Sequence, residues 1–197
     1  MSRIPELKGL VLAGGKSTRM GQDKGLINWH GKPQREYMAD LLKLYCQKVF
    51  ISCRADQKEE IEQGGYSALH DIHTDSGPLG AILSAFEQDE NAAWLVVACD
   101  LPLMDKQHLD YLSTHRNPAL MATAFAAANG LPEPLITIWE PSAYPILKAS
   151  LTTGLLSARS TLLKNEITLL NPVHQRALSN VNSPEETAEI RKFLGSL

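Results

Sequence analysis

The chain has 197 residues, of which 44% are hydrophobic and 21% are charged. This length suits one compact α/β domain with its own core and is too short for two. A composition near the globular average argues against disorder, collagen and coiled coils, and no apolar run approaches the roughly 18–20 residues of a membrane span. Cys46, Cys53 and Cys99 stand far apart. Their spacing argues against a disulfide scaffold or a zinc ribbon and predicts a cytoplasmic protein.

The net charge of −3 conceals an uneven distribution. Residues 1–58 hold 11 basic and 5 acidic residues, a net charge of +6, whereas residues 59–197 hold 8 basic and 17 acidic residues, a net charge of −9. A basic front half can serve a polyanionic ligand. A chance unevenness of surface charge, with no ligand involved, explains the two net charges equally well.

Short apolar runs alternate along the chain with helical patterns. In chain order, they predict a strand at 7–13, a helix at 35–45, a strand at 49–53, a short helix at 57–61, a strand before residue 71, a helix at 79–86, a strand at 94–99, a helix at 106–115, a strand at 120–126, an edge or mixed strand at 135–139, helices at 143–151 and 158–164, a strand at 167–170 and a last helix after residue 183. Ser183 and Glu186 would form a capping box at the start of that helix.

This alternation predicts a single Rossmann-like α/β domain, a three-layer sandwich with helices on both faces of a mostly parallel sheet. Ligands of such sheets bind at the carboxyl ends of the strands. Because Gly14-Gly15 and Asp100 both follow predicted strands, we expect them to face one crevice.

Residues 12–24 form a glycine-rich loop after the first strand. Glycines let the backbone approach a phosphate closely, and successive N–H groups then bind the anion. The segment is not a P-loop, because that motif needs a glycine five residues before Gly15, where Leu10 stands, and Gly-x-Gly-x-x-Gly is absent too. A plain turn is the alternative, but three cations within nine residues favour phosphate binding: Lys16, Arg19 and Lys24.

The pattern Leu-Ala-Gly-Gly-x-Ser-x-Arg-Met-Gly-x-Asp-Lys at 12–24 resembles the signature of nucleotidyltransferases that attach an NMP to a phosphorylated acceptor. Within that group the chain most resembles the molybdenum cofactor guanylyltransferases. Further matching motifs stand at 31–33, 75–80, 99–102, 132–135 and 180–185, so the resemblance spans almost the whole chain. It implies a single domain over 1–197, with a nucleotide-binding half at about 1–115 and an acceptor-binding half at about 116–197.

Asp100 follows an apolar strand directly, where an unpaired charge is costly and Mg²⁺ is a natural partner. A turn or a helix cap is the plain alternative, and Asp105 is the better candidate to cap the following helix. The resemblance implies that Asp100 binds Mg²⁺ on the nucleotide phosphates. It also implies that Lys24 stabilises the α-phosphate and Arg19 the leaving pyrophosphate.

The resemblance assigns two further groups of ligand-binding residues. The nucleotide-binding residues would be Leu12, Ala13, Gly14, Gly15, Lys24, Ser52, Asp71 and Asp100, with Asp75 beside them as a loop carboxylate. The acceptor-binding residues would be Glu133, Pro134, Asn180 and Asn182. Ser52 stands where the guanylyltransferases carry an asparagine, which leaves the choice between GTP and CTP open. Arg159 alone remains of a basic cluster near 154–160.

The resemblance implies transfer of GMP from GTP to molybdenum-bound molybdopterin, with release of pyrophosphate. It implies Mg²⁺ as cofactor and transient contact with molybdopterin-handling or molybdoenzyme-maturation proteins. The alternatives are a cytidylyltransferase or sugar-phosphate nucleotidyltransferase, and a non-catalytic binding protein. Trp29, Trp94 and Trp139 are too dispersed to stack on bases, so we expect no nucleic-acid partner, and we expect no membrane partner.

Overall fold

The computed structural model describes residues 4–15, 23–73, 76–154 and 157–195. The strands within these ranges are β1 (Leu7–Leu12), β2 (Val49–Cys53), β3 (Ser67–His70), β4 (Ala93–Ala98), β5 (Ala122–Ala126), β6 (Pro132–Trp139) and β7 (Thr168–Leu170). The α-helices are α1 (Gln34–Leu42), α2 (Lys58–Gln63), α3 (Gly77–Gln88), α4 (Lys106–Thr114), α5 (Ala143–Thr152), α6 (Ala158–Leu163) and α7 (Pro184–Leu194). Short 3₁₀ helices lie at Lys24–Leu26, Ala55–Gln57 and Gln175–Leu178.

The strands form one sheet in the order β3-β2-β1-β4-β6-β5-β7. All neighbours are parallel except β6, which runs antiparallel to both β4 and β5. The chain builds outward from β1 to β3 on one side and then crosses to β4 on the other side of β1. The order therefore reverses between β1 and β4, and a crevice forms where such a reversal occurs at the carboxyl ends of the strands.

Apolar side chains fill both faces of the sheet. On one face Met38 of α1 and Leu109 of α4 pack in one cluster, and on the other Phe86 of α3 and Leu147 of α5 pack in a second. Every residue of β4 is buried, as expected for a central strand covered by helices on both sides. These layers confirm the predicted three-layer α/β fold.

The predicted elements are present, with ends that differ by up to three residues. The first helix ends at Leu42 rather than 45, and Leu44 is exposed. β6 lies in the sheet interior and runs antiparallel to both of its neighbours, so the edge position was the wrong alternative. The capping box of Ser183 and Glu186 is confirmed, and so is the cap at Asp105, which accepts a hydrogen bond from the His108 N–H.

None of the helices in the described ranges combines the length and the apolar character that crossing a membrane requires.

Candidate active site

A cleft of about 880 Å³ opens at the carboxyl ends of the strands around the reversal point. All eight residues predicted to bind nucleotide line it: Leu12, Ala13, Gly14, Gly15, Lys24, Ser52, Asp71 and Asp100. The prediction that Gly14-Gly15 and Asp100 face one crevice is confirmed. Arg19 and Asp75 lie outside the described residues.

The glycine loop leaves the sheet directly beside the cleft. The Ala13 N–H still donates to the Ser52 carbonyl of β2 at 3.2 Å, which holds the loop against the neighbouring strand. A Cβ added at Gly15 would meet nothing within 4 Å, so the backbone is open on that side. Exposed main-chain N–H groups at such a position suit a bound phosphate.

Asp100 is the main acidic group at the β4 end of the cleft. Its side chain is only 17% exposed, and its Oδ2 lies 3.4 Å from Lys24 Nζ. Its Oδ1 is buried without a hydrogen-bond partner in the described part of the chain. Burial raises the pKa of Asp100, and the nearby Lys24 ammonium opposes this rise. A carboxylate oxygen left without a donor suits a hard cation such as Mg²⁺.

The segment around Val181 brings the amide side chain of Asn182 to the same place. The Val181 N–H donates to the Asp100 carbonyl at 2.9 Å, and the Val181 side chain packs against Ile27. Asn182 Oδ1 accepts a hydrogen bond from Lys24 Nζ at 2.5 Å, and Asn180 lies half-buried on the other side of Val181. The predicted acceptor segment thus meets the predicted metal ligand and Lys24.

Asp71 has one carboxylate oxygen fixed by the protein. Its Oδ1 accepts from the His73 N–H at 2.9 Å and lies 3.2 Å from the Ser84 hydroxyl of α3. Helix α3 packs closely here, because a Cβ on Gly80 would lie 2.3 Å from the His73 carbonyl oxygen. Only glycine fits at that position, and Asp71 lines the cleft in a fixed orientation.

Glu133 and Pro134 occupy buried positions on β6. Glu133 Oε2 accepts from Arg159 Nη2 at 2.9 Å, and its Oε1 accepts from the Leu135 N–H at 3.2 Å. Both oxygens of this carboxylate therefore serve contacts inside the protein. In the described part of the chain the cleft wall on this strand is formed by Leu135.

Sequence reasoning missed Arg54, which also lines the cleft. Its Nη1 lies 3.5 Å from the Gly14 carbonyl oxygen and 3.4 Å from that of Gly15, and Asp56 binds the rest of the guanidinium. The pattern that indicated Asp100, a charged residue directly after a buried strand, is also present at Arg54 and could have identified it.

A model of the MobA-like NTP transferase domain matches residues 9–188. The chain belongs to this family. It is 35% identical over 191 residues to the molybdenum cofactor biosynthesis bifunctional protein of Synechocystis, a match that covers 96% of this chain and spans 55% of that longer protein. It is 29% identical over 190 residues to the molybdenum cofactor guanylyltransferase of Pseudomonas putida, covering 92% of this chain and 96% of that protein.

Solved structures share the fold of this MobA-like domain. Molybdopterin-guanine dinucleotide biosynthesis protein A from Archaeoglobus fulgidus superposes with a TM-score of 0.77 at 22% identity, covering 96% of this chain and 100% of the other. CMP:2-keto-3-deoxy-manno-octonic acid synthetase, solved with CTP, superposes with a TM-score of 0.73 at 12% identity, covering 97% and 99%. The same architecture therefore occurs in proteins named for different nucleotides.

Proposed function

We propose that this protein transfers GMP from GTP to molybdenum-bound molybdopterin and releases pyrophosphate. The observation that carries the proposal is the meeting of Asp100, Lys24 and Asn182 beside the open glycine loop. The relatives named molybdenum cofactor guanylyltransferase support the choice of both substrates.

The terminal phosphate of the pterin attacks the α-phosphorus of GTP. A new phosphorus–oxygen bond forms as the bond to the β-phosphate oxygen breaks, and pyrophosphate carries away the electron pair. A phosphate nucleophile is already anionic near neutral pH, so the reaction needs chiefly alignment and charge neutralisation.

Different residues of the cleft carry out the alignment and the charge neutralisation. The backbone at 12–15 cradles the nucleotide, with the main-chain N–H groups of Gly14 and Gly15 toward the phosphates because that of Ala13 is bound to Ser52. Lys24 stabilises negative charge at the α-phosphate. Arg19 is assigned to the leaving pyrophosphate from the sequence motif alone. Asp100 would hold Mg²⁺, which fits its buried oxygen that has no partner among the described residues, and the ion would offset phosphate charge when bound.

The acceptor side is assigned to Asn180 and Asn182. Asn182 binds Lys24, and Asn180 precedes Val181, whose N–H donates to the Asp100 carbonyl. Glu133 would act there indirectly, because its carboxylate fixes Arg159 and the backbone of β6. Glu133 and Pro134 are therefore assigned an indirect role, in which these buried residues support the structure of the acceptor half. Transient partners that deliver molybdopterin or receive the cofactor fit this chemistry, and a reducing cytoplasm fits the three buried thiols.

A second candidate is the same transfer with another nucleotide, for example CTP. Ser52 favours it, because this serine lines the cleft where the resemblance implies an asparagine, and serine offers fewer hydrogen-bonding groups. Asp71, whose Oδ1 already binds the protein, would then present its other oxygen to a different base or to the ribose.

A thermal-shift panel separates these candidates. The protein is melted with Mg²⁺ and, in turn, GTP, CTP, UTP and ATP at equal concentration. Since a ligand at 100 times its dissociation constant stabilises by about 2.7 kcal/mol, a specific nucleotide gives a clear rise. A rise with GTP alone supports the guanylyl reaction, and a rise with CTP alone overturns it.

A further inference from the structure

The buried Gln57 and the half-buried Asp23 form a polar pair close to Arg54 and Lys24. Gln57 is 5% exposed, and its Nε2 donates to Asp23 Oδ2 at 2.5 Å. Its Oε1 accepts from the Arg54 N–H at 3.0 Å. Asp23 Oδ1 accepts from the Gly25 N–H at 2.8 Å. Both polar atoms of each side chain are therefore bound, which fixes the orientation of the pair.

This pair joins two segments that are distant in sequence. Gln57 belongs to the 3₁₀ turn Ala55–Gln57, which follows β2, and Asp23 caps the 3₁₀ turn Lys24–Leu26. Lys24 comes directly after Asp23, and its ammonium reaches Asp100 and Asn182. The end of β2 is therefore connected to the lysine of the active site through one hydrogen bond.

Capping alone does not account for this arrangement. The cap uses only Asp23 Oδ1, whereas Oδ2 binds an amide that has been withdrawn from water. Burying a polar side chain costs free energy unless it is hydrogen-bonded. The Gln57 amide thus depends on Asp23, and Asp23 is held at two points rather than one.

We propose that Gln57 is a positioning residue that acts through Asp23 to place Lys24 at the α-phosphate. The inference rests on the proposed function, since it takes Lys24 to stabilise the transferred phosphorus. Gln57 does not itself touch the substrate in this proposal.

Reversing the hydrogen bond tests this directly. In Gln57→Glu two carboxylates face each other, and in Asp23→Asn two amide groups face each other. The double variant Asp23→Asn with Gln57→Glu restores one donor and one acceptor with the direction exchanged. It also keeps acceptors for the N–H groups of Gly25 and Arg54. Gln57→Met removes the pair without adding charge.

We measure kcat and KM for GTP, together with the melting temperature, for every variant. Each single variant is expected to lower kcat by about 10–100-fold, the usual effect of losing a residue that supports a functional group, with a smaller change in KM. The double variant is expected to return kcat to within about threefold of wild type. Gln63→Met is the matched control, because it removes an exposed glutamine contact to Glu59 on α2 and should change neither quantity.

A purely structural role would lower the melting temperature of the single variants and leave kcat per folded protein unchanged, which would overturn the proposal. Failure of the double variant to regain kcat would overturn it as well. If Gln57→Glu or Asp23→Asn does not fold, Gln57→Met and the double variant decide in the same way. If the wild type uses another nucleotide, the guanylyl assignment fails, and the same series measured with that nucleotide still tests the positioning role.

Discussion

Replacing Asp100 by asparagine should separate catalysis from stability. The substitution keeps the shape of the side chain and removes its charge. The carboxylate is 17% exposed, and one of its oxygens has no partner within the ranges that the structure describes. Burial raises its pKa more than the Lys24 ammonium lowers it. Burial therefore makes ionisation of Asp100 less favourable in the folded protein than in the unfolded chain, and the substrate-free variant should be as stable as wild type or more stable.

Turnover should respond in the opposite direction. Charge stabilisation by a bound metal contributes several kcal/mol to a phosphoryl-type transition state. Taking about 4 kcal/mol, and 1.36 kcal/mol for each factor of ten, Asp100→Asn should slow the reaction about 10³-fold. It should also lose most of the stabilisation that Mg²⁺ and nucleotide give to wild type.

Urea unfolding of the substrate-free protein and steady-state pyrophosphate release measure the two effects. Asp105→Ala is the matched control, because this aspartate caps α4 five residues further on. The control should lose about 1–2 kcal/mol of stability and retain its turnover. Asp100→Asn with turnover within tenfold of wild type, or with a larger loss of stability than the control, would refute the assignment.

Three further substitutions test the role of Lys24 and two ion pairs of the fold. Lys24→Ala should lower kcat by about 10²–10³-fold and shift the melting temperature by less than about 4 °C; a mainly structural defect would contradict its role. Arg159→Met should cost about 2 kcal/mol in urea unfolding, because it leaves the Glu133 carboxylate, 9% exposed, without its cation; unchanged stability would contradict this. The hydrogen bond from Lys8 lowers the pKa of Asp89 below its ordinary 3.8. The stability this supplies is present above that pH and is lost as pH falls through the lowered value. Asp89→Asn should therefore melt below wild type at pH 7, with a gap that narrows as the pH falls below 3.8; a constant gap would refute the pairing.

The nucleotide side of the cleft was predictable from sequence because its residues follow strands. Gly14 and Asp100 each come directly after an apolar run, and parallel strands bring such ends to one edge of the sheet. The same rule applied to β2 would have found Arg54, whose charge was counted only as part of the basic front half.

The acceptor side was less predictable because its contacts depend on tertiary packing. The Val181 N–H binds the Asp100 carbonyl from the opposite end of the chain, and no local pattern encodes that contact. Glu133 was read from its motif as an acceptor-side group, yet its carboxylate is bound to Arg159. The sequence pattern at 135–139 allowed an edge strand or a mixed one, and only the antiparallel pairing with both β4 and β5 shows that the strand is not at the edge.

Direct detection of the product tests the central claim. The protein is incubated with molybdenum-bound molybdopterin, Mg²⁺ and equal concentrations of GTP, CTP, UTP and ATP, and the dinucleotides are identified by mass spectrometry while pyrophosphate is quantified. We predict the guanine dinucleotide and pyrophosphate in equal amounts, at a rate about 10³-fold above that of Asp100→Asn. A dinucleotide of another base, or no product above that variant, would contradict the account.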